Sequence, residues 1–263
     1  MKPGQRFLFL VLALVFLTAF IWGLVVLTRE VKLGHTQKTD EQIMIALRSP
    51  EHVDDPLGGL WVEHLARDLT SLGSTYVIIL VTLATGGFLA FNNHRRSAVL
   101  LLTATASGMV VYYVFKQAIG RPRPELVSHL VHSETPSYPS GHAMLAGLLF
   151  FGLALIAGKE LASIRLKLYL ICVAVLLALA VGASRIYLGV HWATDVLAGW
   201  LAGFGWALLW WLIWWIGDFR RSRGDTLAGM PAAWPSDGLP ARKHDQNAIG
   251  QTVSSVESVI ASD

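Results

Sequence analysis

The chain has 263 residues, 54% of them hydrophobic and 15% charged, with a formal net charge of +3 and a mean hydropathy of +0.51. Soluble domains carry about 25% charged residues, so this composition excludes a largely disordered chain and a nucleic-acid binder working through basic patches, and it points to an integral membrane protein. Cys172, the single cysteine, excludes an intramolecular disulfide and a multi-cysteine metal site.

A helix needs roughly 20 apolar residues to cross a bilayer core of about 30 Å. Residues 7–27 form the first such run, behind Lys2 and Arg6. The run is too long for the hydrophobic region of a secretory signal, and residues 28–34 offer no small-x-small cleavage site, so an uncleaved first span is expected. The longest loop follows, residues 28–71. Within it Trp61, Leu65, Leu69 and Leu72 recur at helical spacing and suggest a short amphipathic helix along the interface. Further apolar runs lie near 72–91, 98–115, 143–157, 168–183 and 196–216. The runs 143–157 and 168–183 are short, so their helices should extend into the flanking polar segments.

The expected architecture is an all-α membrane protein of six transmembrane helices. Residues 1–223 would form the membrane domain, and 224–263 a polar tail whose composition suits disorder. Lysines and arginines concentrate at the N-terminus, around Arg95 and Arg96, in the 159–167 loop and at Arg220, Arg221 and Arg223. By the positive-inside rule these segments, and both termini, are cytoplasmic. Trp210, Trp211, Trp214 and Trp215 read as an aromatic belt at the inner end of the last span, and Cys172 as a packing residue within the fifth.

The opposite loops should then be poor in cations, yet they hold Lys116, Arg121, Arg123 and Arg185. An anion held at that face would account for them. Three polar segments carry the chemistry. Lys116 to Pro124 includes Arg121 and Arg123, Tyr138-Pro-Ser-Gly-His142 opens the fourth span, and Ser184-Arg185 to His191 and Asp195 opens the sixth. Lys116, Arg123 and Arg185 suit a phosphate or similar oxyanion, which arginine binds through paired N–H groups. Ser140, Gly141 and His142 fall where a helix begins, and free backbone N–H groups there also bind phosphate. Gly141 would permit close backbone approach. His191 and Asp195, four apart, would share a helix face, so that the carboxylate orients the imidazole. Of the two histidines, one can be a nucleophile and the other a general acid.

In this order and spacing, Lys-x6-Arg-Pro, Pro-Ser-Gly-His and Ser-Arg-x5-His-x3-Asp resemble the type 2 phosphatidic acid phosphatase family, a superfamily that includes bacterial acid phosphatases and vanadium haloperoxidases. All three motifs match without substitution: Lys116, Arg123 and Pro124; Pro139 to His142; Ser184, Arg185, His191 and Asp195. The resemblance implies a six-span fold with its site at the extracytoplasmic ends of the helices. It further implies that His191 is the nucleophile that becomes phosphohistidine, Asp195 its orienting partner and His142 the general acid. Lys116, Arg123, Ser140, Gly141 and Arg185 would cradle the phosphate, with no metal or other cofactor. Spacing selects Arg123 over Arg121, which is left to line the entrance or anchor the loop.

The implied activity is that of a metal-independent lipid phosphatase in a bacterial plasma membrane. Its partners would be the bilayer and a lipid phosphate, such as undecaprenyl diphosphate, phosphatidylglycerophosphate or phosphatidate, and not nucleic acid. A phosphotransferase using the same histidine and a non-catalytic lipid-phosphate binder or transporter are the rival readings. His129, His132, Glu125 and Glu134 read as loop residues without a motif, and Tyr187 and Trp192 as candidates for contact with the lipid.

Overall fold

The computed structural model describes residues 3–131 and 135–228; His132, Glu134 and the tail from 229 onward lie outside the described residues. The chain divides into two units, Met1–Asp218 and Phe219–Asp263, and the fold and site described below belong to the first. Among the described residues eight helices follow in order: α1 (Pro3–Lys32), α2 (Gln37–Ile45), α3 (Leu60–Ser71), α4 (Thr75–Phe91), α5 (Arg95–Ile119), α6 (Gly141–Glu160), α7 (Ile164–Tyr187) and α8 (Ala193–Ala228). Among the described residues the only β pairing noted is an isolated antiparallel bridge between Arg48 and Pro56.

Five helices, α1 and α5 to α8, are long and apolar enough to cross a membrane, and the pair α3 and α4 makes a sixth candidate, bent by 49°. The bend has a length argument behind it. The 17 residues of α4 rise about 26 Å at 1.5 Å per residue, short of a bilayer core of about 30 Å. The short apolar runs are extended as expected, α6 to 20 residues and α7 to 24. The long loop holds two helices rather than one. In α3 the apolar side chains Leu60, Trp61 and Leu65 are exposed while Ala66 and Thr70 are buried, so its small face packs inward, against α7.

Helix α6 is the centre of the bundle: 56% of its most apolar stretch is buried, against 6% for α1. It packs on α7, α5 and α4. Its contact with α8 is close because Gly199 and Gly203 lie one turn apart. A Cβ on Gly199 would stand 2.6 Å from the Ser140 carbonyl oxygen, and one on Gly203 would run into the Met144 carbonyl. Small residues four apart let membrane helices approach to backbone contact. The approach sets the start of α6 beside the start of α8, where the Ser140 N–H donates to the Asp195 carbonyl at 2.9 Å.

One expectation about side-chain direction is corrected. Cys172 is exposed on α7, facing outward rather than packing inside. The tryptophan cluster is half-buried, with Trp211 stacked on Trp215 and edge-on to Phe9, and Trp214 under the Lys159 ammonium. These rings pack among the helix ends as well as facing outward. Helix α8 runs to Ala228.

Candidate active site

The three polar motifs meet because α5 and α7 end, and α6 and α8 begin, at the same end of the bundle. Helix α5 stops at Gly120, whose left-handed conformation (φ 62°) closes the helix before Pro122 and Pro124, which lack N–H groups. Lys116, in its last turn, is buried and donates to Thr135 Oγ1 at 2.8 Å and to the Pro136 carbonyl at 2.6 Å. Arg123, in the segment beyond, donates through Nε to the Thr135 carbonyl at 2.7 Å and through Nη1 to the Val190 carbonyl at 2.5 Å. Thr135 therefore ties together the two cations of the first motif.

Arg123 Nη1 also faces His191 Nε2 at 3.3 Å. A guanidinium can only donate, so Nε2 accepts and the ring proton resides on Nδ1. On that side Asp195 Oδ2 stands 3.5 Å away. Sequence spacing placed the pair on one helix face; instead α8 starts at Ala193, and His191 lies in the turn before it. The pair is brought together by the helix cap. Asp195 Oδ2 accepts the Trp192 N–H at 2.9 Å, the reach-back of a third-position carboxylate in a capping box.

His191 is buried, and burial together with the charges of Arg123, Arg185 and Lys116 holds it well below its ordinary value of 6.5. Protonation would remove the free lone pair, and it is deferred to lower pH. In the unliganded protein the ring is expected to stay neutral as pH falls through 6.5. Nitrogen-15 spectra of histidine-labelled protein, with the signal assigned by its absence in His191→Ala, check this; a half-protonated His191 near pH 6.5 would contradict it.

Ser140 is the N-cap of α6. Its hydroxyl is buried and makes no hydrogen bond within the described chain, and the same holds for Arg185 Nε. Both are donors. Gly141 follows beneath the Tyr112 ring, where a Cβ would lie 2.6 Å from Cε2. His142, in the first turn of α6, lies within electrostatic reach of Arg185, Lys116 and Arg123 and near His191. Four elements thus direct three cations, a helix N-terminus and two histidines to one point, a suitable receptacle for a phosphoryl group.

Arg185 reaches the site from the last turn of α7, held by Nη1 donating to Thr70 Oγ1 on α3 at 3.0 Å in a buried contact. A hydrogen bond to a charged group contributes about 1.5–3 kcal/mol. Thr70→Val, similar in shape but without the acceptor, is therefore expected to lower kcat/KM for phosphate release about tenfold and to lower the midpoint of thermal unfolding by a few degrees. Unchanged kcat/KM would show that Arg185 needs no such tether.

Residues 97–219 match the PAP2 superfamily. That stretch, just under half of the chain, is what this protein shares with the PAP2 family. It is 29% identical over 182 residues to phosphatidylglycerophosphatase B of Bacillus subtilis, covering 68% of this chain and 84% of the relative. It is 31% identical over 140 residues to an undecaprenyl-diphosphatase of Sulfolobus acidocaldarius, covering 51% and 62%. The crystal structure of the first transmembrane PAP2 type phosphatidylglycerolphosphate phosphatase from Bacillus subtilis superimposes with a TM-score of 0.64 at 26% identity, over 78% of this chain and 96% of that one.

The segment that matches the PAP2 superfamily contains every residue of the three motifs, from Lys116 to Asp195. Two side chains that hold the site lie before it: Thr70, and Asp40 on α2. Neither was legible beforehand, since each is a single polar residue in a polar stretch. Arg121 is an anchor. Nη1 donates to Asp195 Oδ1 at 2.7 Å and Nη2 to Asp40 Oδ2 at 2.8 Å. Trp192 is buried, packed with Met44 and Val127 and under the Arg121 guanidinium, so it faces the protein and not lipid. Tyr187 donates to the Leu57 carbonyl, and His129 is within 2.6 Å of the Pro124 carbonyl. Among the described residues no three His, Cys, Asp or Glu side chains group as a metal-ligand set.

Proposed function

We propose that this protein is a membrane lipid phosphatase of the PAP2 type that works through a phosphohistidine on His191. The observation that carries the reading is the bracketing of one imidazole, with Arg123 against Nε2 and Asp195 behind Nδ1. In the first step the Nε2 lone pair attacks phosphorus, the bond from phosphorus to the leaving oxygen breaks, and His142 gives that oxygen a proton. In the second, water attacks the phosphohistidine while His142 takes a proton from it, releasing inorganic phosphate and restoring both rings. Lys116, Arg123, Arg185 and the α6 N-terminus bind the non-bridging oxygens as charge spreads onto them in the transition state.

The relatives support a lipid phosphate as substrate, such as a phosphatidylglycerophosphate or undecaprenyl diphosphate; a phosphatidate would present the same phosphomonoester to the site. The exposed apolar surface of the helices, with Phe7, Trp22, Tyr76 and Phe88 among its side chains, suits a bilayer that also holds the lipid's tail. The distribution of basic residues supports a bacterial plasma membrane with both termini inside and the site on the outer face.

Purified protein in proteoliposomes, given each of the three lipids with and without EDTA, tests the reading. EDTA-insensitive phosphate release, with an acid-labile, base-stable phosphoenzyme trapped on rapid quench, is the expected result. Phosphate transferred to a lipid acceptor with little released would make it a phosphotransferase. Binding of all three lipids without turnover would make it a carrier or binder.

A further inference from the structure

We infer that Asp40, on α2, is a positioning residue for catalysis, acting through Arg121 on Asp195. The inference rests on the phosphohistidine reading above. Arg121 lies between two carboxylates that are fully buried, Asp40 and Asp195, and its own side chain is 9% exposed. Thr194 closes the circuit. Its hydroxyl accepts from Arg121 Nη1 at 2.8 Å and donates to Asp40 Oδ2 at 2.6 Å, and its N–H donates to Asp40 Oδ1 at 2.9 Å. The Gln37 side-chain carbonyl adds a longer contact to Arg121 Nη2 at 3.3 Å.

The electrostatics give Asp40 a purpose beyond anchoring. As phosphorus bonds to Nε2, positive charge develops on the His191 ring, and Asp195 is the carboxylate behind it. An arginine 2.7 Å from Asp195 Oδ1 would by itself neutralise that carboxylate and weaken it as a partner for the ring. One buried arginine shared between two buried carboxylates leaves the cluster with a net negative charge, delivered at Asp195. Asp40 also satisfies an N–H at the start of α8 that has no partner within its own helix. This fixes the turn that carries His191. A segment outside the matched PAP2 residues 97–219 thereby tunes the base of the nucleophile.

Asp40→Asn keeps an acceptor for Thr194 but removes the charge. It is expected to lower kcat about 30-fold with KM within about twofold, since the phosphate cradle is untouched. The deciding measurement is a double-mutant cycle, read as single-turnover phosphoenzyme formation with labelled lipid. If Asp40 acts through Asp195, then in an Asp195→Asn background Asp40→Asn lowers the rate by less than about threefold. A purely structural Asp40 gives the same factor in both backgrounds, and that additivity would overturn the inference, as would a folded Asp40→Asn protein with unchanged kcat. Should Asp40→Asn fail to fold, Arg121→Lys, which keeps the charge but cannot span both carboxylates, enters the same cycle with the same two outcomes. A fully active His191→Ala protein would overturn the phosphohistidine reading itself. An inactive His191→Ala with an additive cycle would overturn only the role of Asp40.

Discussion

Replacing His191 by alanine is expected to lower kcat for phosphate release by about 10⁴-fold or more while the protein still binds its lipid phosphate within a few-fold of wild type. The split follows from where the groups sit. Lys116 and Arg123 are held by Thr135 and the Pro136 and Val190 carbonyls, and Arg185 by Thr70. None of them relies on the imidazole for its position. Ser140 and Gly141 belong to the start of α6. The cradle therefore survives, but the lone pair 3.3 Å from Arg123 Nη1 is gone and only water could attack, without a covalent route. The check is a pairing of phosphate release with equilibrium binding of the labelled lipid in proteoliposomes, together with the loss of the trapped phosphoenzyme. Release within tenfold of wild type would mean that another group carries the phosphoryl transfer.

The division between what the sequence disclosed and what it hid follows the physics. Apolar runs mark helices that cross a bilayer because every backbone polar group there must be satisfied within the helix; α1 and α5 to α8 were legible on that ground. Which face each helix turns inward was not, because both lipid and bundle interior accept apolar side chains. Cys172 proved to be exposed for that reason. The division between α3 and α4 was legible, since residues 60–91 read as an amphipathic stretch followed by an apolar one; the 49° bend between them and the packing of the Ala66 and Thr70 face against α7 were not.

The motif residues were legible because phosphate chemistry demands several cations and a helix N-terminus in fixed order, and few other tasks do. Their supports were not. Asp40 sits in Gln-Lys-Thr-Asp-Glu-Gln, a string that by composition is a solvated helix start, yet its carboxylate is wholly buried. Only the fold, which lays α2 across the beginning of α8, distinguishes it from its neighbour Glu41. The four-residue spacing of His191 and Asp195 foretold their proximity but not its cause. A helix cap, and not a shared helix face, sets the 3.5 Å separation.

For His142 the expected effect depends on what leaves. General acid catalysis contributes about 10²–10⁴-fold, and it matters most when the departing oxygen would otherwise leave as an unstable alkoxide. His142→Ala should therefore lose about 10³-fold in phosphoenzyme formation from phosphatidate, within that range. With an aryl phosphate, whose phenolate departs without help, the loss in the same step should be less than about tenfold. The second half-reaction inverts the picture. In the proposed mechanism His142 is also the base that activates water, so the aryl substrate should load His191 quickly and then stall. The observable is a burst of phenolate equal to the concentration of sites, followed by slow turnover, with the phosphoenzyme accumulating to near-stoichiometric levels. Equal losses for both leaving groups and no burst would remove His142 from proton transfer. Its place in the first turn of α6, among Arg185, Lys116 and Arg123, would then be that of one more group orienting the phosphate.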